Sequence, residues 1–135
     1  MALPKCKTKR SILLAVLSLA AVTVLGGLFG VYVTRKWRER EIAQGEALFR
    51  MSCCSCHNGR TSGTAKTPPN LAGIFRRPQL PSGAPATDEQ VRSTILSGRS
   101  DIMPSFKGAL SDEQISDITR YLHSVGPETT LCAAE

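Results

Sequence analysis

Five residues, Cys53-Cys54-Ser55-Cys56-His57, restrict this chain more than any others do. Cys53, Cys56 and His57 spell C-x-x-C-H, a pattern that reads as covalent haem attachment. Each thiol can add to one porphyrin vinyl group, and two intervening residues let both sulfurs reach vinyls on one side. His57 follows directly, so its imidazole is carried to the metal. Other chemistries use similar residues. A zinc site needs four ligands, usually in two separated pairs, whereas the close ligands here fall within five residues and the only other histidine is His123. A thioredoxin-like C-x-x-C belongs beside a βαβ pattern, and none is evident.

Aromatic residues make up 5% of the chain, so a protein-only core is thin. A buried macrocycle supplies apolar volume that the side chains lack. The formal charge of +6 is unevenly spread. Residues 1–40 hold eight Lys/Arg against one acid, and residues 41–135 hold nine against ten. The basic balance therefore belongs to the first segment and does not argue for nucleic acid, since no basic stripe with interleaved aromatics appears. Basic residues flanking an apolar run suit a membrane surface.

Residues 11–34, SILLAVLSLAAVTVLGGLFGVYVT, carry no formal charge. A helix of that length covers about 36 Å, more than the ~30 Å hydrocarbon layer. A cleaved signal has a shorter apolar region and an A-x-A-like site, and neither is present. The expected organisation is a basic terminus at 1–10, a transmembrane signal anchor at 11–34 and a linker or helix continuation at 35–40. A domain at 41–126 and a polar tail at 127–135 follow. Tyr32 and Trp37 are placed as interfacial anchors. Gly26 and Gly30 form G-x-x-x-G, a motif that admits a close helix partner. Four basic residues precede the span and four follow it, so the positive-inside count does not set its orientation.

The domain reads as all-α. Residues 41–51 form a helix with Ile42, Leu48 and Phe49, and Gly45 inside it suggests close approach by another helix. Residues 58–70 are loop by composition, followed by the short apolar patch of Ile74 and Phe75. Thr87-Asp88-Glu89-Gln90 and Ser111-Asp112-Glu113-Gln114 each have a capping-box pattern. The first opens a helix that stops at Gly98. The second opens one whose Ile115, Ile118, Leu122 and Val125 share a face, with Tyr121 beside it.

A haem iron with one histidine keeps an open axial position for a gas, a peroxide or a second side chain. Met51 is too near His57 in sequence to reach across. His123 reads as a surface residue on a polar face. Met103 lies in a loop beside Pro104, between two helices, and is the expected second ligand, although a loop methionine also serves as a gap filler. A His/Met haem sits at a higher potential than a bis-His one. A saturated iron also favours electron transfer over catalysis.

From about residue 41 to residue 125 the chain resembles a class I monohaem cytochrome c of the small membrane-anchored bacterial type. The residues that carry the likeness are Gly45, Phe49, CCSCH, Pro69-Asn70-Leu71, Met103-Pro104-x-Phe106 and Tyr121-Leu122. The resemblance implies a cytochrome c fold around one covalent haem c. It implies helices crossing at Gly45, Phe49 and Tyr121, and a Pro69 carbonyl that orients His57. It also places the haem domain on the periplasmic face of the inner membrane, with Met1 inside. The implied role is a tethered electron carrier between a donor and an acceptor, either a shuttle or a fixed subunit of a respiratory or photosynthetic complex. A haem enzyme or gas sensor with a labile distal ligand is the alternative. Residues 50–99 are rich in arginine, which suits an acidic docking patch on a partner or simply a solvated mixed surface. Cys54 departs from the pattern. It is expected as a tolerated free thiol, with a Cys54–Cys132 bond as the rival reading and Cys6 across the membrane from both.

Overall fold

A computed structural model describes residues 5–57, 68–99 and 102–132. Of the loop expected over 58–70, residues 58–67, with Arg60 and Lys66, lie outside the described residues, as do the chain's first four and last three residues and the side chain of Cys6. The elements in order are helix α1 (Lys5–Ser52), a 3-10 turn (Ile74–Arg76), helix α2 (Asp88–Ser97) and helix α3 (Asp112–Ser124). No strand occurs among the described residues, only isolated bridges such as Arg99 with Met103. The chain divides into two compact units, Met1–Arg38 and Glu39–Glu135.

The first unit contains the charge-free run, which lies within a helix long and apolar enough to cross a membrane. Its large apolar side chains, among them Leu14, Val22, Leu25 and Phe29, stand exposed. Three of its hydroxyls do not oppose an apolar surrounding, because each of them donates to a carbonyl three residues back. Ser18 bonds to Ala15, Thr23 to Ala20 and Thr34 to Val31, at 2.9–3.0 Å. In lipid, polar groups satisfied within the helix cost little. A Cβ built at Gly26 or Gly30 meets nothing, so no partner for the G-x-x-x-G stands among the described residues.

The second unit is held by the end of α1 against α3. Phe49, Ile74, Ile115 and Ile118 are the largest fully buried side chains, each contributing roughly 1.5–3 kcal/mol through removal from water. Tyr121, expected beside the apolar face, is itself buried, with its ring 5.6 Å from that of Phe49. Gly45 makes this crossing possible. A Cβ there would overlap the Asp117 carbonyl and come within 3.0 Å of the Tyr121 Cβ. Backbone cannot retreat as a flexible side chain can. Gly45→Ala is therefore expected to destabilise the domain by about 3 kcal/mol, read from urea unfolding. A change within error would mean the helices do not cross there.

Both capping patterns open helices, with unequal completeness. Ser111 Oγ accepts from the Gln114 N–H and the Gln114 side chain accepts from the Ser111 N–H, a reciprocal box. Thr87 accepts from the Gln90 N–H at 3.3 Å without the return bond.

Two expectations are corrected. Cys54 is not a free thiol: it forms a disulfide with Cys132, with Cα atoms 5.6 Å apart. The residues after α3 are also not merely a polar tail, because Leu131 is buried in the core cluster. Burying that leucine draws residue 132 to the end of α1. Closing a chain loop across 78 positions stabilises the fold by roughly 4 kcal/mol on the chain-entropy account.

Candidate functional site

The site begins where α1 ends. The Cys53 N–H donates to the Phe49 carbonyl at 2.8 Å, so the helical path continues one residue further. The Cys56 and His57 N–H groups then both donate to the Cys53 carbonyl, at 3.1 and 2.8 Å. This extra turn sets the motif's facing. Cys56 and His57 lie three and four positions after Cys53, the spacing at which side chains share a side of a turn. Cys53, Cys56 and His57 accordingly line one cavity, while Cys54 is absent from its lining.

The cavity measures about 670 Å³, within the range of ligand pockets, about 300–1,000 Å³. Its walls are mainly apolar and include Phe49, Leu71, Ile74, Ile95, Phe106 and Leu122. Among the described lining residues Arg99 is the one charged side chain. Cys53 and Cys56 are free thiols. Burial, and then the neighbouring Cys56 thiol, push the Cys53 pKa up to about 11. Tyr121 is also raised, by burial first and then by Glu46.

His57 is buried. Its Nδ1 lies 2.8 Å from the Pro69 carbonyl oxygen. A carbonyl only accepts, so Nδ1 carries the proton and Nε2 keeps its lone pair, as a metal-ligating imidazole requires. The Pro69 carbonyl sits at the head of a local turn, where the Ala72 N–H donates to the Asn70 side chain at 2.9 Å.

Met103 is half-buried and lines the same cavity. Its loop is fastened to the end of α2. Ser105 Oγ donates to the Leu96 carbonyl at 2.6 Å and the Phe106 N–H to the Ile95 carbonyl at 3.1 Å. These are carbonyls that a helix end leaves without internal partners. Gly98, with φ 68°, lets the loop close in, since a Cβ there would sit 2.5 Å from the Met103 carbonyl oxygen.

The other two side chains weighed as axial ligands lie elsewhere. Met51 is 80% exposed. His123 stacks on Phe75 with ring centroids 3.8 Å apart, and its Nε2 lies 2.6 Å from an Asp88 carboxylate oxygen. The arginine-rich portion is partly neutralised locally: Arg50 pairs with Glu46 at 3.1 Å and Arg92 with Asp112 at 2.6 Å. Sequence reasoning held the Cys54–Cys132 pair only as the rival to a free thiol, and the structure forms it. The only available signal was an even number of cysteines beyond the motif's two thiols and Cys6.

Two thiols, an imidazole with a free ring nitrogen and a thioether around one apolar cavity define a helical domain suited to a covalently attached haem. Residues 40–122 match the family described as cytochrome C oxidase, cbb3-type, subunit III, and the chain belongs to that family of cytochrome c domains. It is a monohaem c-type cytochrome with one covalently bound haem c. The cytochrome bc1 complex cytochrome c subunit of Mycobacterium tuberculosis is 33% identical over 101 residues, covering 74% of this chain and 33% of that protein. Cytochrome c6 of Synechocystis sp. is 26% identical over 106 residues, covering 78% of this chain and 82% of that one. Cytochrome c6 of Leptolyngbya boryana is 30% identical over 82 residues, or 61% and 89%. The chain thus spans about one third of the length of the bc1-complex relatives it matches. No solved structure matches it.

Proposed function

We propose that this cytochrome carries single electrons between redox partners at a membrane, with haem c attached through Cys53 and Cys56 and its iron held by His57 and Met103. The placement of His57 and Met103 on one apolar cavity carries the reading. Haem c supplies a one-electron couple when bound there. The chain's residues do the rest. The Pro69 carbonyl fixes the imidazole's tautomer and orientation and strengthens it as a donor. Met103 supplies a soft ligand that favours the reduced state and raises the potential. The apolar walls exclude water and preserve that preference. Arg99 offers a cation to a haem carboxylate. With His57 and Met103 both holding the iron, bound haem would pass electrons without a substrate at the metal.

The anchor is the span at residues 11–34. It confines the carrier to two dimensions and raises its effective concentration near membrane partners. The proposed setting is the inner membrane, crossed once, with the haem domain on the periplasmic side. The cytochrome bc1 complex subunits among the relatives favour a fixed subunit of a respiratory complex over a free shuttle. Purification of the full chain from its native membranes in mild detergent tests this. Constant co-elution with integral membrane redox proteins is expected. Elution alone, fully loaded with haem, would contradict a fixed subunit and leave a shuttle.

A further inference from the structure

The motif holds one thiol more than haem attachment uses. Cys53, Cys54 and Cys56 lie within four residues, and any two could be joined by an oxidant or could compete for the vinyl groups. The structure separates them. The turn at the end of α1 aims Cys53 and Cys56 at the cavity and leaves Cys54 off its lining. Cys54 is bonded to Cys132. Cys132 is held in place from two sides: Leu131 before it is buried, and its own sulfur lies 3.7 Å from the His57 carbonyl oxygen.

We propose that the Cys54–Cys132 disulfide is a protecting bond that withdraws the surplus thiol, so that haem is attached only through Cys53 and Cys56. This rests on the attachment reading given above. The chemistry balances with a disulfide-bearing thiol oxidant. Two exchange steps break its S–S bond, form the Cys54–Cys132 bond and release two reduced thiols, with both protons passing to them. Attachment itself consumes no oxidant at sulfur. Each of Cys53 and Cys56 loses its S–H bond, a vinyl π bond opens, and one S–C and one C–H bond form. If Cys54 stayed reduced it could attack a disulfide or take a vinyl group in place of its neighbours. Bonded to Cys132, it can do neither.

The test exploits an asymmetry. Cys132→Ser and the double variant Cys54→Ser/Cys132→Ser both lose the disulfide, but only the first leaves Cys54 loose beside the motif. The full chain is produced in a bacterium with covalent haem-attachment machinery, and haem-bearing peptides are mapped by mass spectrometry. Thiols are alkylated before and after reduction. Wild type should carry haem on Cys53 and Cys56, with Cys54 alkylated only after reduction. Cys132→Ser should lose haem-bearing protein severalfold and show Cys54 joined to haem or to another motif cysteine. The double variant should recover the wild-type yield. Normal attachment in Cys132→Ser would overturn the proposal. So would a double variant as impaired as Cys132→Ser, since the bond would then act only on stability. So would a wild-type Cys54 that alkylates without reduction. A wild-type chain lacking haem on Cys53 and Cys56 would overturn the attachment reading itself and this proposal with it.

Discussion

Replacing Met103 with alanine is expected to lower the reduction potential by something on the order of 0.1 V, within the about 0.8 V that haem axial ligands span. Covalent attachment should be unaffected, because Cys53 and Cys56 sit at the end of α1 while Met103 sits on the loop after α2. A thioether stabilises the reduced iron, and alanine supplies no donor, so water or nothing takes its place. The Met103 loop should survive the change, since it is fastened through Ser105 and Phe106 rather than through the methionine side chain. Redox titration and the visible spectrum of the detergent-solubilised variant read the outcome. An unchanged potential with a retained low-spin spectrum would remove Met103 from the iron.

The second large effect concerns the thiols. Changing Cys53 and Cys56 together to serine should abolish covalent attachment, so that acid-acetone strips all pigment from the polypeptide. Each single change should leave one thioether and a pigment that stays with the chain in reduced yield. Serine replaces the sulfur nearly isosterically, and the cavity walls, Phe49, Ile74, Ile95 and Leu122 among them, are untouched. Residual pigment in the double variant would therefore be bound but extractable. Pigment that resists extraction from it would show that another residue makes the link.

What was legible in the sequence was local. The C-x-x-C-H spacing determines which side chains share a turn, and three hydrogen bonds spanning three or four residues realise it. Ser111 and Gln114 complete their box because both partners lie within one turn of helix. Gly45 signalled a close approach, and the Asp117 carbonyl now stands where its Cβ would be. The misreadings were long-range. Cys54 and Cys132 are 78 positions apart, and no local pattern says that Leu131 will be buried and bring them together. From the spacing of α3 alone Tyr121 read as flanking, and only the family resemblance placed it at a crossing with Gly45 and Phe49. Phe49 from α1 covers it, and that contact exists only once the two helices have crossed. Thr87 shows the limit even of a local motif. Its sequence pattern matches that at Ser111, yet the return bond from Gln90 is not made.

The claim on which the account depends is that protein side chains fill both axial positions of the iron. Carbon monoxide mixed with the reduced full-length protein at neutral pH tests it most directly. The account predicts no rapid binding, only a slow reaction limited by loss of Met103. Fast, stoichiometric binding would contradict it and identify a haem built to take a ligand.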